Sequence, residues 1–236
     1  MSLALSACLP LVLPDTVPFL DGNGATVDVA IPGTTRSAPA SALSVATGST
    51  DTAIANLTLD LSDSPYTRGV AIISASQVTI SGVTMTGSTF RAIEVAATTG
   101  PVTDVLITGN TASSPAGTAE TKGEVVSVML ATVFEHPDDQ FSSSTRPTWD
   151  RYTTDGTLSP TTYEHRNISV VGNTITGGYY GVSLSGVTDV TLRGNTILGQ
   201  EYSEGLRTHE GTLPSVGSAT ITFADDSIGT YTSTGS

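Results

Sequence analysis

The residues with the widest chemical repertoire in this 236-residue chain crowd into one stretch. It holds Glu135-His136-Pro137-Asp138-Asp139, Arg146, Trp149-Asp150-Arg151-Tyr152, Asp155 and Tyr163-Glu164-His165-Arg166, with two of the three histidines and the sole tryptophan. Carboxylates grouped in this way can serve as oxygen ligands of a calcium ion or, set as a pair, as general acid and base. The rings of Trp149, Tyr152 and Tyr163 offer flat faces for stacking, while Asp side chains and Arg151 can hydrogen-bond hydroxyls. A solvated surface loop accounts for the same His-Pro-Asp-Asp run with no ligand, so the choice rests on the elements that position these residues.

Those elements are written as a recurring phrase of alternating apolar and polar residues followed by Gly. Its clearest copies are Val78-Thr79-Ile80-Ser81-Gly82-Val83-Thr84-Met85, Val105-Leu106-Ile107-Thr108-Gly109-Asn110-Thr111-Ala112, Ile168-Ser169-Val170-Val171-Gly172-Asn173-Thr174-Ile175 and Val190-Thr191-Leu192-Arg193-Gly194-Asn195-Thr196-Ile197. Weaker copies begin at Leu57 and Ala219, and the spacings of 21, 27, 63, 22 and 29 residues define a unit of about 22 with insertions of unequal size. The alternation sends Val78, Ile80 and Met85 to one side and Thr79, Ser81 and Thr84 to the other, as a strand with one buried face requires. Gly and Asn at the bend tolerate left-handed backbone, and Asn110, Asn173 and Asn195, recurring at one place, are expected to stack about 4.8 Å apart as a hydrogen-bonded ladder that Val83 interrupts. A further strand precedes each copy, at 42–46, 69–73, 92–96, 125–129, 181–185 and 205–209. Its inward residues would be Leu43/Val45, Val70/Ile72, Ile93/Val95, Val126/Val128, Val182/Leu184 and Leu206/Thr208. Three strands per unit make a solenoid: an all-β, single-stranded right-handed parallel β-helix of about six to seven coils, filling residues 1–236 as one domain.

The run Gly181-Val182-Ser183-Leu184-Ser185, followed by Val190-Thr191-Leu192-Arg193-Gly194-Asn195-Thr196-Ile197-Leu198-Gly199, resembles the repeat of the right-handed parallel β-helix, or pectate-lyase-like, superfamily. The resemblance spans roughly residues 24–228 apart from one long insertion. It implies a secreted or cell-surface protein that recognises or processes polysaccharide, as a lyase, hydrolase or epimerase would, with the cleft on the outer face of the strand preceding each Asn phrase. On that face the first outward column reads Ser44, Ala71, Glu94, Ser127, Ser183, Arg207, and the second Ala46, Ile73, Ala96, Met129, Ser185, His209. Calcium-dependent lyases would carry several carboxylates there, whereas this face carries one, Glu94. Arg207 stands three coils from it, about 14 Å at 4.8 Å per rung, too far for joint proton transfer.

The insertion supplies what the face lacks. From Val126 to Ile168 the chain takes 42 residues where Val182 to Val190 takes 8, so about 34 extra residues, near 130–166, leave beside the outward strand. As an enzyme, a polysaccharide lyase or glycoside hydrolase, the chain would set Glu135, His136, Asp138 or Asp139 beside Glu94 and Arg207, with calcium as the cofactor the oxygen ligands would take. As a binding module it would hold sugar rings on Trp149, Arg151 and Tyr152 together with Ser127, Ser183 and His209. As a shaft, like an adhesin or a phage tail component, it would only display a loop.

Composition narrows the partners. Nine Lys+Arg against 22 Asp+Glu give a net charge of -13, which repels phosphate backbones and anionic membranes, so nucleic acid is excluded as an expected partner. Gly and abundant Thr and Ser with 13% charged residues favour strands and tight turns over surface helices. One cysteine leaves no internal disulfide, and no run approaches the ~18 apolar residues of a membrane-spanning helix. Leu5-Ser6-Ala7-Cys8 resembles the cleavage box of bacterial lipoproteins but lacks a preceding basic residue and a long apolar run; an apolar first strand or a truncated start is the simpler expectation.

Overall fold

The computed structural model describes residues 10–14, 18–35, 39–64, 66–88, 90–96, 99–114, 124–128, 165–178, 180–184, 187–198, 206–208, 221–224 and 227–228. Alternation at period two yields short strands throughout, and no helix occurs among the described residues. The chain begins with β1 (Leu11–Leu13), β2 (Phe19–Asp28), β3 (Ala40–Val45), β4 (Thr50–Asp60), β5 (Thr67–Ile73), β6 (Ser76–Ser81) and β7 (Thr84–Thr86). It continues through β8 (Arg91–Ala96), β9 (Thr103–Thr108), β10 (Thr111–Ser114), β11 (Glu124–Val128), β12 (His165–Val171) and β13 (Thr174–Gly177). The last strands are β14 (Tyr180–Leu184), β15 (Val187–Arg193), β16 (Thr196–Leu198), β17 (Leu206–Thr208), β18 (Ile221–Ala224) and β19 (Ser227–Ile228).

Every pairing among them is parallel. One sheet of seven strands runs β1-β3-β5-β8-β11-β14-β17, taking every strand that precedes an Asn phrase. The other sheet has two arms, β4-β6-β9-β12-β15-β18 and β4-β7-β10-β13-β16-β19, joined because β4 runs unbroken where later rungs divide into two strands. A sandwich of antiparallel hairpins, the rival all-β architecture, is incompatible with this pairing; a parallel β-helix is compatible with it.

Apolar columns fill the space between the sheets. Leu43, Val70, Ile93, Val126 and Val182 stand opposite one another rung by rung, and each is buried. Ile54, Ile80, Ile107, Val170 and Leu192 form a second column. Leu59, Met85, Ala112, Ile175 and Ile197 form a third. Both of these are buried as well. Burying one such side chain stabilises by roughly 1.5–3 kcal/mol, so the repetition of a short phrase holds the fold without a disulfide.

The bend between the arms is left-handed at Asn56, Gly82, Gly109, Gly172 and Gly194, with φ from 54° to 65°. The asparagine after it takes the ladder role. The Asn173 side-chain oxygen accepts from the Asn110 backbone N–H at 3.0 Å and from Asn110 Nδ2 at 2.9 Å. Asn195 does the same for Asn173, at 3.0 and 2.9 Å. Each Nδ2 also reaches back to a carbonyl: Asn110 to Ile80, Asn173 to Ile107 and Asn195 to Val170. Val83 does not interrupt this ladder as the sequence suggested. Its backbone N–H donates to Asn110 Oδ1 at 2.9 Å, so the column tolerates a residue with no polar side chain at its first rung.

The weak copies expected from Leu57 and Ala219 are shifted in register, since Thr52 stands opposite Val78 and Ile221 opposite Val190. Two further features were not read from the sequence. The strand after the insertion starts at His165 rather than Ile168, so His165 and Arg166 belong to the sheet and not to the loop: His165 is buried and its Nδ1 accepts the Val102 N–H at 3.1 Å. A second left-handed column, Asp51, Gln77, Asp104, Asn167 and Asp189, lies one residue before the first inward residue of each phrase. There a carboxylate alternates with an amide from rung to rung, and Asn167 Nδ2 donates to Asp104 Oδ1 at 2.6 Å.

Candidate functional site

The register places the expected outward column as one line. Val12, Ser44, Ala71 and Glu94 follow one another on successive strands, and Ser127, Ser183 and Arg207 continue it. Glu94 and Arg207 are three rungs apart, as the repeat required. The side chains of Ser127, Ser183 and Arg207 lie outside what is described, and so do all atoms of Glu135, His136, Asp138, Asp139, Trp149, Arg151, Tyr152 and His209. The structure therefore bears on Glu94 and its surroundings.

That surrounding is closed, not open. Ala42, Ala71, Ala92 and Glu94 are all buried, although each occupies an outward position of the alternation. Ser44, Ala46, Ile73 and Ala96 on the same outward face are half-buried.

Arginines from two strands, β5 and β8, converge on the Glu94 carboxylate. Arg91, the first residue of the same strand, bonds Oε1 through Nη1, and Arg68 on β5 contacts Oε2 through Nε. Arg68 also donates from Nη1 to the carbonyl of Pro39, ahead of β3, at 3.2 Å. Both guanidinium groups lie over the ring of Phe90, at 4.6 Å for Arg91 and 5.4 Å for Arg68 from the ring centroid. The ring's negative face and the carboxylate together compensate two cations in a place with little water. Burial and then the neighbouring Arg91 charge push Arg68 down to about 10, which leaves it cationic at neutral pH.

The two contacts tie β5 to β8 through the Glu94 carboxylate, an arrangement that suits cross-strand anchoring. Among the described residues no group of three His, Cys, Asp or Glu side chains could hold a metal ion. The sequence reading singled out Glu94 but not its surroundings at Arg68, Phe90 and Arg91. A signal was present in the spacing: Arg68 lies two residues before Val70 and Arg91 two before Ile93, so both occupy the same place in the repeat.

No family model matches the chain, and no curated protein matches it. Among solved structures, it is similar to PfbA, a surface adhesin of Streptococcus pneumoniae, with 15% identity, a TM-score of 0.45, and coverage of 80% of this chain and 53% of that chain. The chain thus spans about half the length of that structure.

Proposed function

We propose that the chain is a right-handed, single-stranded parallel β-helix of six to seven coils that acts outside the cell or on its surface as a non-catalytic polysaccharide-binding module. The observation that carries the non-catalytic half of this reading is the closure of Glu94. The one acid of the outward column is committed to Arg68 and Arg91, and lyase or hydrolase chemistry on this face would need it free. Support for polysaccharide comes from the resemblance of the Asn phrase and from the in-register line of Ser127, Ser183 and Arg207, whose ~4.8 Å repeat suits an extended sugar chain. In this reading Trp149, Arg151, Tyr152 and His209 supply stacking and hydrogen bonds at the border of that line. Calcium is then dispensable, and the -13 charge favours neutral glycans over uronans.

The test is a glycan panel read two ways, by calorimetric binding and by release of unsaturated or reducing ends, with calcium and with chelator. Binding without turnover, unaffected by chelator and abolished by Ser183→Tyr in a variant that melts like the wild type, is the expected result. Turnover that Glu94→Gln removes while the fold persists would instead make the protein an enzyme. Absence of both binding and turnover across the panel would leave only the shaft.

A further inference from the structure

A second face of the molecule has a regularity that the polysaccharide reading does not use. Thr26, Thr58, Thr84, Thr111, Thr174 and Thr196 stand opposite one another on β2, β4, β7, β10, β13 and β16, and the backbone of Ser227 on β19 continues the line. Thr111 and Thr174 are exposed and the other four half-buried, so the line reaches solvent along its length. Two residues further along the strand, Thr86, Ser113 and Thr176 form a second hydroxyl row on the three middle rungs, bounded by Asp60 and Asp28 on one side and Leu198 on the other. The first row has no charge and no aromatic ring, although the chain carries a net charge of -13.

We propose that this face binds a crystalline water lattice, an ice surface. Each rung presents one hydroxyl and one methyl group, and the β-branch restricts χ1, so the hydroxyls repeat with little freedom of their own. The repeats are about 4.8 Å across rungs and roughly 6.6 Å between the two rows along a strand. Liquid water gains nothing from such regularity, because its molecules re-pair around any polar group. A solid whose molecules are already immobilised can match many rungs at once, and the small gain at each hydroxyl then adds over the array. A glycan would be recognised differently, through stacked rings and converging charged or amide groups in a concave site, and this flat column supplies none of them. The inference is independent of the polysaccharide site, which lies on the other sheet.

The experiment measures ice shaping, thermal hysteresis and inhibition of ice recrystallisation for the full chain and for Thr111→Tyr, Thr174→Tyr and Thr191→Tyr, each checked by circular dichroism melting. Thr191 is an outward residue on β15, in the other arm, and serves as the control. The expected result is activity in the wild type and in Thr191→Tyr, and its loss in both column variants at unchanged melting temperature; if one column variant fails to fold, the other decides. Wild-type protein that affects ice no more than an inert protein of similar charge would overturn the proposal. So would activity that survives the column substitutions or falls equally in Thr191→Tyr. Retention of the wild type on crystalline cellulose or chitin that the column substitutions abolish, without any effect on ice, would reassign the face to a solid glycan.

Discussion

Asn173 is donor and acceptor at once in a place water barely reaches. Its side chain accepts two bonds from Asn110, donates to the Ile107 carbonyl and to Asn195 Oδ1, and is 2% exposed. Truncating it to Ala would strand the Asn110 N–H and the Ile107 carbonyl together, and each buried unsatisfied group costs about 1–3 kcal/mol. Asn173→Ala is therefore expected to lower the unfolding free energy by at least that much in urea titration, and Thr191→Ala, which removes a half-buried hydroxyl, by well under 1 kcal/mol. Equal midpoints for the two variants would contradict the ladder. The asparagines were legible in the sequence because the same residue type recurs at the same place in each phrase. The partners of Glu94 were not, because an arginine near the start of a strand reads as a bend residue, and only the fold brings Arg68 and Arg91 onto one carboxylate beside Phe90.

At the scale of the element, strand ends carry their own electrostatics. β4 closes with Asp60, whose carboxylate accepts the Ser62 hydroxyl at 2.6 Å and the Ser62 N–H at 3.0 Å. Those two bonds, the hydroxyl first, hold Asp60 below its ordinary value of 3.8 against the opposing effect of burial. Between the lowered and the ordinary value the unfolded chain binds more protons than the folded one. The stabilisation is thus complete above the ordinary value and is lost as pH falls through the lowered one. Melting curves of wild type and Asp60→Asn should differ at neutral pH, with the variant less stable, and should converge as the medium is acidified below about pH 4. A constant gap would mean that the turn does not depend on the charge. Strand positions were readable from alternation, whereas the start of β12 was hidden, since His165, Arg166 and Asn167 look like loop. The left-handed column at Asp51, Gln77, Asp104, Asn167 and Asp189 was readable in principle, as a short polar residue just before each phrase, but its meaning depends on a register that only pairing reveals.

At the scale of the whole molecule, the described strands stack in parallel and the chain carries far more negative than positive charge. With 22 acidic and 9 basic side chains the folded state repels itself, and the ion pairs described at Glu94 are too buried for salt to weaken much. Added sodium chloride should therefore raise the melting temperature, and a fall on salt addition would show that attractive surface pairs outweigh the net repulsion. Fold class could be read in advance because every rung repeats the same instruction. The site could not, since its expected ligands sit where the repeat is interrupted and periodicity says nothing. The ladder also has a direction. Val83, Asn110 and Asn173 each donate their backbone N–H to an oxygen that comes later in the chain, never earlier. During synthesis on the ribosome each of these three rungs thus holds an amide whose acceptor has yet to be made. For Asn110 that acceptor is 63 residues away, a delay on the order of ten seconds at roughly 5–20 residues per second.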